Sequence, residues 1–189
     1  MNSIELLKNQ VQGIHGLLVS TLQNVTEDEW LSRVAPGDNR VGFLAWHIPA
    51  VRDWAVHAMI GGTEPLGWKA PWRHTGVDLC PIPFGMPPSE ADLIAENTKP
   101  AGVIAYSEAV SAAVVSWLGA LNEGDLDQAP GNRSHLSLSP RFADAEYQAV
   151  LDGGMWGYKT WQLLAGACVS HCRGHLGELG LALSLIRSR

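Results

Sequence analysis

Two histidines near the C-terminal end of the sequence stand at a spacing that suits metal binding. The segment SHCRGHLGELG, residues 170–180, contains His171 and His175 four residues apart, and Glu178 follows three residues later. An α-helix turns about 100° per residue, so the imidazoles would lie roughly 40° apart and the carboxylate within about 60° of both. Two imidazoles one helical turn apart can bind one ion. The alternative is a solvated helix face that carries two histidines by chance.

A third ligand would have to come from another helix, and His47 is the best candidate. It lies in the apolar stretch LAWHIPAV, where an imidazole needs a hydrogen-bond acceptor or a metal. Facing helices of a bundle supply ligands to a shared interior site. His57 would point about 80° away from His47 and is predicted to be a surface or rim histidine. Of the others, His15 is predicted to be solvated, and His74 and His135 lie in predicted loops, from which they could serve a pocket or lid.

The cysteines offer a different ligand set on the same helix. Cys168 and Cys172 each precede a histidine by three residues, which could give a thiolate–imidazole site. On an α-helix Cys172 lies about 100° from His171 and therefore off the ligand face, whereas Cys168 is closer to that face. A free cysteine in a helix usually behaves as a small buried hydrophobic residue. Because the sequence contains no CxxC pair, the cysteine site is the weaker hypothesis.

Helical periodicity identifies the elements that must position these residues. Apolar residues recur at helical spacing in four long segments, at residues 2–24, 40–60, 100–121 and 156–187. Two shorter helices are predicted at 89–96 and 142–151, and no strand-like alternation of useful length occurs. Pro49 lies inside the second long helix, where we expect a kink. The sequence therefore predicts an all-α helix bundle that forms a single domain over residues 1–189.

The longest connection joins the second and third long helices. Residues 62–88, GTEPLGWKAPWRHTGVDLCPIPFGMPP, are rich in Gly, Pro and Trp and show no period. A structureless stretch of this length is unusual in a compact domain and is often functional. We expect it to act as a lid or a contact surface.

Composition narrows the class of protein. The chain has 189 residues, 46% of them hydrophobic and 17% charged, and a formal net charge of -6 without a basic run. This pattern is typical of a globular domain and argues against a nucleic-acid partner. The N-terminus lacks the features of a signal peptide, and no uncharged apolar run is long enough for a membrane span. Three cysteines without secretory features favour reduced thiols in a cytoplasmic protein.

Three stretches together resemble the DinB/YfiT-like superfamily: VGFLAWHIPAVRDWAVHAMIGG, WLGALNEGDLD and SHCRGHLGELG. The resemblance implies a four-helix bundle of up-down-down-up type with a long crossover between helices 2 and 3. The family's metal triad combines one histidine of helix 2 with a His-x-x-x-His pair of helix 4, and His47, His171 and His175 match these positions. HLGEL, residues 175–179, is similar to the family's HRGEI-like stretch, which would make Glu178 a pocket residue.

The resemblance also implies a chemistry. Three imidazoles with open positions form a catalytic type of site that zinc or nickel, and also iron, can occupy. Members of the superfamily include thiol S-transferases and maleylpyruvate isomerases that use low-molecular-weight thiols such as bacillithiol or mycothiol. The metal would bind the thiol and lower its pKa. The electrophile would then sit among tryptophans, namely Trp46, Trp54 and Trp161, with its carboxylate held by Arg52 or Arg173.

Two other functions remain open at this stage. A His₃ site with a bound hydroxide also suits hydrolysis, with Glu178 or Asp53 as general base. The third hypothesis is a non-catalytic, stress-related metal-binding or interaction protein. All three involve a cytoplasmic protein without a nucleic-acid or membrane partner, and the enzyme hypotheses require a small-molecule substrate. The resembled family and the Trp-rich loop favour a homodimer.

Overall fold

The computed structural model describes residues 2–73, 83–130 and 157–189, together with the single positions 148 and 152. Within these residues every regular element is helical and no strand occurs. The prediction of an all-α fold is therefore confirmed. Apart from Gln148, the short helix predicted at 142–151 lies outside the described residues, as do His74, Cys80 and His135.

The first long helix forms where the periodicity predicts it. Helix α1 spans Ser3–Leu22, and the side chain of Asn2 caps it by accepting a hydrogen bond from the backbone N–H of Glu5. An Asn at this position satisfies one of the backbone donors that a helix start leaves open. The buried residues recur at helical spacing: Ile4, Val11, Ile14, Leu18 and Leu22.

A short helix then turns the chain towards the core. Helix α2, Glu27–Leu31, begins with a capping box in which Thr26 and Glu29 satisfy each other's backbone donors. It buries Trp30, whose indole Nε1 donates to the carbonyl of Ala95 at 3.0 Å. This indole lies so close to Gly42 that a Cβ there would come within 2.5 Å of Nε1. The close approach requires glycine at this point of the next helix.

The second long segment is buried along its whole length. Helix α3 spans Val41–Asp53, and each of its residues is buried. The chain continues directly into a π-helical segment, π1, at Trp54–Ile60, and Gly61 ends it. In a π-helix the hydrogen bonds run from i to i+5, so the turn is wider than in an α-helix. Pro49 lies within α3, and the change of helical form follows it at Trp54.

The connection after π1 leads to two further helices. A 3₁₀ turn forms at Leu66–Trp68, and helix α4 covers Pro88–Asn97, close to the predicted 89–96. Helix α5 spans Pro100–Gly119 and starts with a proline in its first turn, where the missing N–H costs nothing. A second 3₁₀ turn, Glu123–Asp127, follows it.

The last segment changes helical form twice. It starts as helix α6, Thr160–Leu163, becomes a second π-helical segment, π2, at Leu164–His171, and ends as helix α7, Cys172–Arg187. The sequence predicted a single helix over 156–187. The Arg187 guanidinium pairs with the Glu29 carboxylate at 2.6 Å and ties the C-terminal end to α2.

The long helical segments pack on one another around one core. α1 contacts α5 and α7, and α3 contacts α4, α5 and α7. By length and composition alone α5 could cross a membrane. In the structure its buried residues include Val103, Val110 and Val114, and it contacts both α1 and α3.

Candidate metal centre

Three histidines from two parts of the chain converge on one point. His47 comes from α3, His171 ends π2, and His175 lies in the first turn of α7. Their ligand nitrogens all lie within 4.8 Å of one another. The closest approach joins Nε2 of His47 to Nε2 of His171 at 3.0 Å. Two nitrogens bound to one tetrahedral zinc ion lie roughly 3.3 Å apart, given zinc–nitrogen bonds of about 2.0–2.1 Å. The three side chains are therefore close enough to hold a metal ion.

Burial favours the neutral, metal-binding form of the His47 and His171 imidazoles. His47 is 7% exposed, and burial together with the neighbouring His175 and His171 lowers its pKa to about 3. Burial also lowers the pKa of His171, and His175 adds to this while Glu178 opposes it. A neutral imidazole offers a nitrogen lone pair, whereas an imidazolium offers none.

The hydrogen bonds of the His175 and His47 rings involve only some of their nitrogen atoms. Nδ1 of His175 lies 2.7 Å from a carboxylate oxygen of Glu178, which leaves Nε2 of that ring for another partner. Nδ1 of His47 is buried without a hydrogen-bond partner among the described residues. A buried polar nitrogen without a partner is costly. A cation among the three rings fits this arrangement, because each neutral imidazole can offer it one nitrogen lone pair.

Aromatic side chains close one side of the cluster. The Phe84 ring lies 6.4 Å from the His47 ring and 6.1 Å from the His171 ring, measured between centroids. Its other neighbour is Trp54, at 5.0 Å in an edge-on arrangement. Trp54, predicted as a pocket residue, therefore stands one layer behind the histidines. Phe84 was missed because its contact with them depends on the path of a non-periodic loop.

The structure does not support the cysteine ligand set. Cys168 and Cys172 are both fully buried free thiols, and the metal-ligand cluster found among the described residues contains histidines only. The Cys172 thiol donates to the carbonyl of Ile48. Burial raises the pKa of Cys168 to about 12, with Cys172 adding to the shift and Arg52 opposing it. Burial also raises the pKa of Cys172, so neither sulfur is a ready thiolate ligand.

The two arginines proposed to hold a carboxylate have other partners. Arg52 has no exposed surface and donates to the backbone carbonyls of Val11 and Cys168 at 3.5 and 3.4 Å. A substrate cannot reach it, so we assign it to the packing of α3 against α1 and π2. Arg173 is exposed and donates to the side-chain oxygen of Gln10 at 2.6 Å.

Asp53, predicted as a possible general base, instead anchors the loop after π1. Both carboxylate oxygens are occupied by donors at 2.6–2.9 Å, namely the backbone N–H groups of Leu66 and Gly67, the Tyr106 hydroxyl and Nδ1 of His57. The carboxylate is buried. A Cβ at position 67 would lie 2.7 Å from the Tyr106 hydroxyl. The loop can therefore come this close to Tyr106 only if residue 67 is glycine. We name this group of contacts the Asp53 clamp.

Two histidines predicted to face solvent are instead bound within the fold. His57 pairs with Asp53 at 2.7 Å. Burial opposes its protonation, but the hydrogen bond and charge of Asp53 prevail and raise its pKa. His15 is half-buried, with Nδ1 3.0 Å from the Ser107 hydroxyl. The pairing of His15 with Ser107 joins residues 92 positions apart and has no local signal in the sequence. The i,i+4 spacing of Asp53 and His57 is a local signal that could have found the other pairing.

The three tryptophans assigned to one pocket do not all lie together. Trp46 lines a cavity between α3 and α5. Trp161 is 45% exposed and lines a separate surface cavity with Leu6 and Leu126. Trp54 lies near the histidines through Phe84, and Trp46 lies near His47 through Phe43, whose ring is 6.0 Å from Trp46 and 5.5 Å from His47. Trp46 and Trp54 also line one small cavity together, whereas Trp161 lies apart, so the described residues do not form one pocket from all three tryptophans.

Comparison with known proteins shows a fold and no activity. No family model and no curated protein matches the chain. Its structure is similar to the crystal structure of a conserved protein from Enterococcus faecalis, with a TM-score of 0.57 and 23% sequence identity. The match covers 88% of this chain and 99% of that one. At this identity the likeness shows that the two chains share a fold.

Proposed function

We propose that this protein is a divalent-metal enzyme of the DinB/YfiT-like superfamily that activates a low-molecular-weight thiol for transfer to an electrophile. The observation that carries the proposal is the convergence of His47, His171 and His175 within 4.8 Å from two helical segments. The family's four-helix bundle is part of the same proposal. It is supported by the four long segments, 3–22, 41–60, 100–119 and 160–187, and by the long connection between the second and third.

The roles of the chain's own groups follow from their positions. His47, His171 and His175 would hold the ion through neutral nitrogens. Glu178 fixes the ring of His175 through Nδ1, as carboxylates commonly do behind a metal-bound histidine. Phe84 shields one side of the cluster from water. The chemistry that such an ion supplies is Lewis acidity, which converts a thiol into the more nucleophilic thiolate at neutral pH.

Thiol transfer is favoured over hydrolysis by the state of the two candidate bases. Hydrolysis with Glu178 or Asp53 as general base would need that carboxylate to be free to take a proton from water. Asp53 is buried in its clamp, and Glu178 is bound to His175. A thiol needs no such base, because its own pKa is closer to neutrality than that of water. Zinc and nickel suit three imidazoles best, and iron is also compatible.

The first experiment measures metal content on protein purified without a histidine tag. We expect one divalent ion per chain in the wild type and none in the His47→Ala and His171→Ala variants. His57→Ala is the matched control, because this histidine pairs with Asp53 and not with the cluster; it should keep the ion. Absence of metal from the wild type after reconstitution with zinc and with nickel would contradict the proposal.

A second experiment separates the three hypotheses for function. The metal-loaded protein is tested with bacillithiol, mycothiol or glutathione and a panel of electrophiles such as maleylpyruvate. Turnover that requires both a thiol and His171 supports thiol transfer. Turnover of ester or amide substrates without a thiol points to hydrolysis. Metal binding without either turnover points to a non-catalytic metal-binding protein.

A homodimer and a cytoplasmic location complete the proposal. Exposed leucines on neighbouring helices support self-association, notably Leu17 of α1 and Leu181 of α7, which are 54% and 62% exposed. The free thiols of Cys168 and Cys172 are compatible with a reducing compartment. Light scattering coupled to gel filtration tests the dimer, and a monomer mass across the accessible concentration range would contradict it.

A further inference from the structure

A cavity on the other side of α3 carries a separate inference. It has a volume of about 290 Å³ and opens between α3, α5 and the loop after π1. Its walls include Trp46, Trp72, Val103 and Tyr106, with Asn97 and Lys99 at one edge. None of the three clustered histidines lines it. This volume lies at the small end of the range for ligand pockets.

We propose that this cavity binds a small planar aromatic anion, such as an aromatic carboxylate with one or two rings. The inference is independent of the metal centre and of the function proposed for it. It rests on three features of the described residues: aromatic walls, a cation at the edge without a competing carboxylate in the lining, and a rigid support beneath.

The walls are suited to a flat ring. The rings of Trp72 and Tyr106 lie 5.6 Å apart with an interplanar angle of 37°. Trp46, 5% exposed, and Val103, 2% exposed, complete the apolar surface. Aromatic side chains stack on planar ligands in offset or edge-on arrangements and gain more than the burial of area alone.

The edge of the cavity selects for negative charge. Lys99 is the one charged residue in the lining. Its ammonium has a single acidic neighbour in the described part of the chain, Glu27 at 3.6 Å, and both side chains are more than three-quarters exposed. Such an exposed pair is weak, so the ammonium can turn to a ligand carboxylate. Asn97 and Thr98 already donate to backbone carbonyls of α4, which fixes this edge.

The cavity is held open by the Asp53 clamp. The Tyr106 hydroxyl, part of one wall, donates to Asp53 at 2.6 Å. The same carboxylate binds the backbone of Leu66 and Gly67, which lead into the loop that carries Trp72. The walls from α3, α5 and the loop are thus fixed to one buried group. A ligand that enters does not have to order them, which reduces the cost of binding.

Gly102 allows a direct test, because it lines the cavity and a Cβ built on it would meet nothing within 4 Å. A leucine there projects into open space and fills the cavity without displacing the core. We would titrate 2-naphthoate into the wild type and Gly102→Leu by isothermal calorimetry. We expect wild-type binding and a loss of affinity of about tenfold or more in the variant, since the ring and the leucine compete for one space. Gly16→Leu, a helical glycine with equally open surroundings, is the matched control and should bind as the wild type does.

Two further variants test whether the charge of the ligand contributes to binding and whether the ligand binds away from the histidine cluster. Lys99→Gln should weaken 2-naphthoate roughly two- to fivefold, as for an exposed ion pair, and leave the neutral 2-naphthalenemethanol unchanged. His171→Ala should leave binding intact, because the metal cluster does not line the cavity. The proposal is overturned if the wild type does not bind 2-naphthoate, if Gly102→Leu binds it equally well, if Lys99→Gln weakens acid and alcohol alike, or if His171→Ala abolishes binding.

Discussion

The carboxylate of Glu178 is an exposed group that orients one ligand of the candidate metal centre. It touches no other histidine of the cluster, but it accepts the proton of Nδ1 of His175 at 2.7 Å. That bond selects the tautomer in which Nε2 carries the lone pair. Without it, the ring of His175 is free to rotate about its side-chain bonds.

We therefore expect Glu178→Ala to weaken zinc binding by roughly tenfold while the protein remains folded. Glu178→Gln should restore most of the affinity, because the amide oxygen can still accept from Nδ1. Competition with a chromophoric chelator measures the affinity, and thermal unfolding of the metal-free proteins checks the fold. Equal affinities in the wild type and Glu178→Ala would show that this hydrogen bond does not orient the ligand.

The pair of His57 and Asp53 predicts a pH-dependent contribution to stability. The groups that face His57 are Asp53, which raises its pKa, and Lys69, which opposes this. Because the pKa is higher in the folded state, the contribution is complete below the unfolded value of about 6.5 and is lost as pH rises through the folded value. His57→Gln should lose about 1–2 kcal/mol at low pH and less at high pH.

Urea unfolding between about pH 5.5 and pH 9 measures this difference. The same substitution in an Asp53→Asn background is the control, and there the difference between the two proteins should no longer fall as pH rises, because burial alone lowers the pKa of His57. A difference that grows as pH rises would have the wrong sign and would contradict the assignment of His57 as the group whose pKa is raised.

At the scale of residues, the sequence predicts the histidines better than their neighbours. His171 and His175 are linked by local spacing, and His47 is recognisable as a polar residue in an apolar helix. In the sequence Arg52 looks like a ligand for a carboxylate. In the structure it is buried, and its guanidinium donates hydrogen bonds to backbone carbonyls of α1 and π2. No local pattern encodes contacts between residues more than forty positions apart.

At the scale of elements, the long helices were predicted but their changes of pitch were not. The segments 40–60 and 156–187 are predicted as single helices, the first with a kink at Pro49, whereas the structure contains π-helical parts at Trp54–Ile60 and Leu164–His171. The spacing of apolar residues does not reveal a single turn that is wider than an α-helical one. His171 and His175 span the start of α7, so the α-helical geometry still applies to them. Cys168 lies inside π2, and there the same arithmetic places it wrongly near the ligand face.

The contact between α2 and α3 gives a prediction about packing. A Cβ at Gly42 would lie 2.5 and 2.6 Å from two atoms of the buried Trp30 ring. The indole is held by its hydrogen bond to Ala95, so it cannot move away freely. Gly42→Ala should therefore destabilise the protein by about 1–3 kcal/mol, the usual cost of overpacking, as measured by urea unfolding.

Gly180→Ala is the matched control for this substitution. It makes the same chemical change within α7, where a Cβ would meet nothing within 4 Å. Here we expect a gain of about 0.5–1 kcal/mol from the lower entropy of the unfolded chain. If both variants were stabilised to the same extent, the close packing of Trp30 on Gly42 would not exist in solution.

At the scale of the whole molecule, α3 is the shared wall of two sites. His47 faces the histidines of π2 and α7, while Trp46, one residue earlier, lines the cavity beside α5. Complete burial of α3 explains why its polar residues are few and each has a structural or candidate functional role. The sequence marks this helix as buried through its apolar composition, but which side meets which neighbour depends on the arrangement of all the long helices.

The convergence of ligands from distant segments predicts that metal binding stabilises the entire fold. The site exists only when α3 packs against π2 and α7, so the ion binds the folded state. At a free zinc concentration 100-fold above Kd the gain is about 2.7 kcal/mol, which corresponds to a rise in Tm of roughly 5–10 °C for a domain of this size. Scanning calorimetry with and without zinc measures it, and a chelator should reverse it. His57→Ala should show the full rise and His47→Ala none, because only the latter removes the ligand that joins α3 to the C-terminal helices. An equal rise in all three proteins would mean that zinc stabilises the fold at another site.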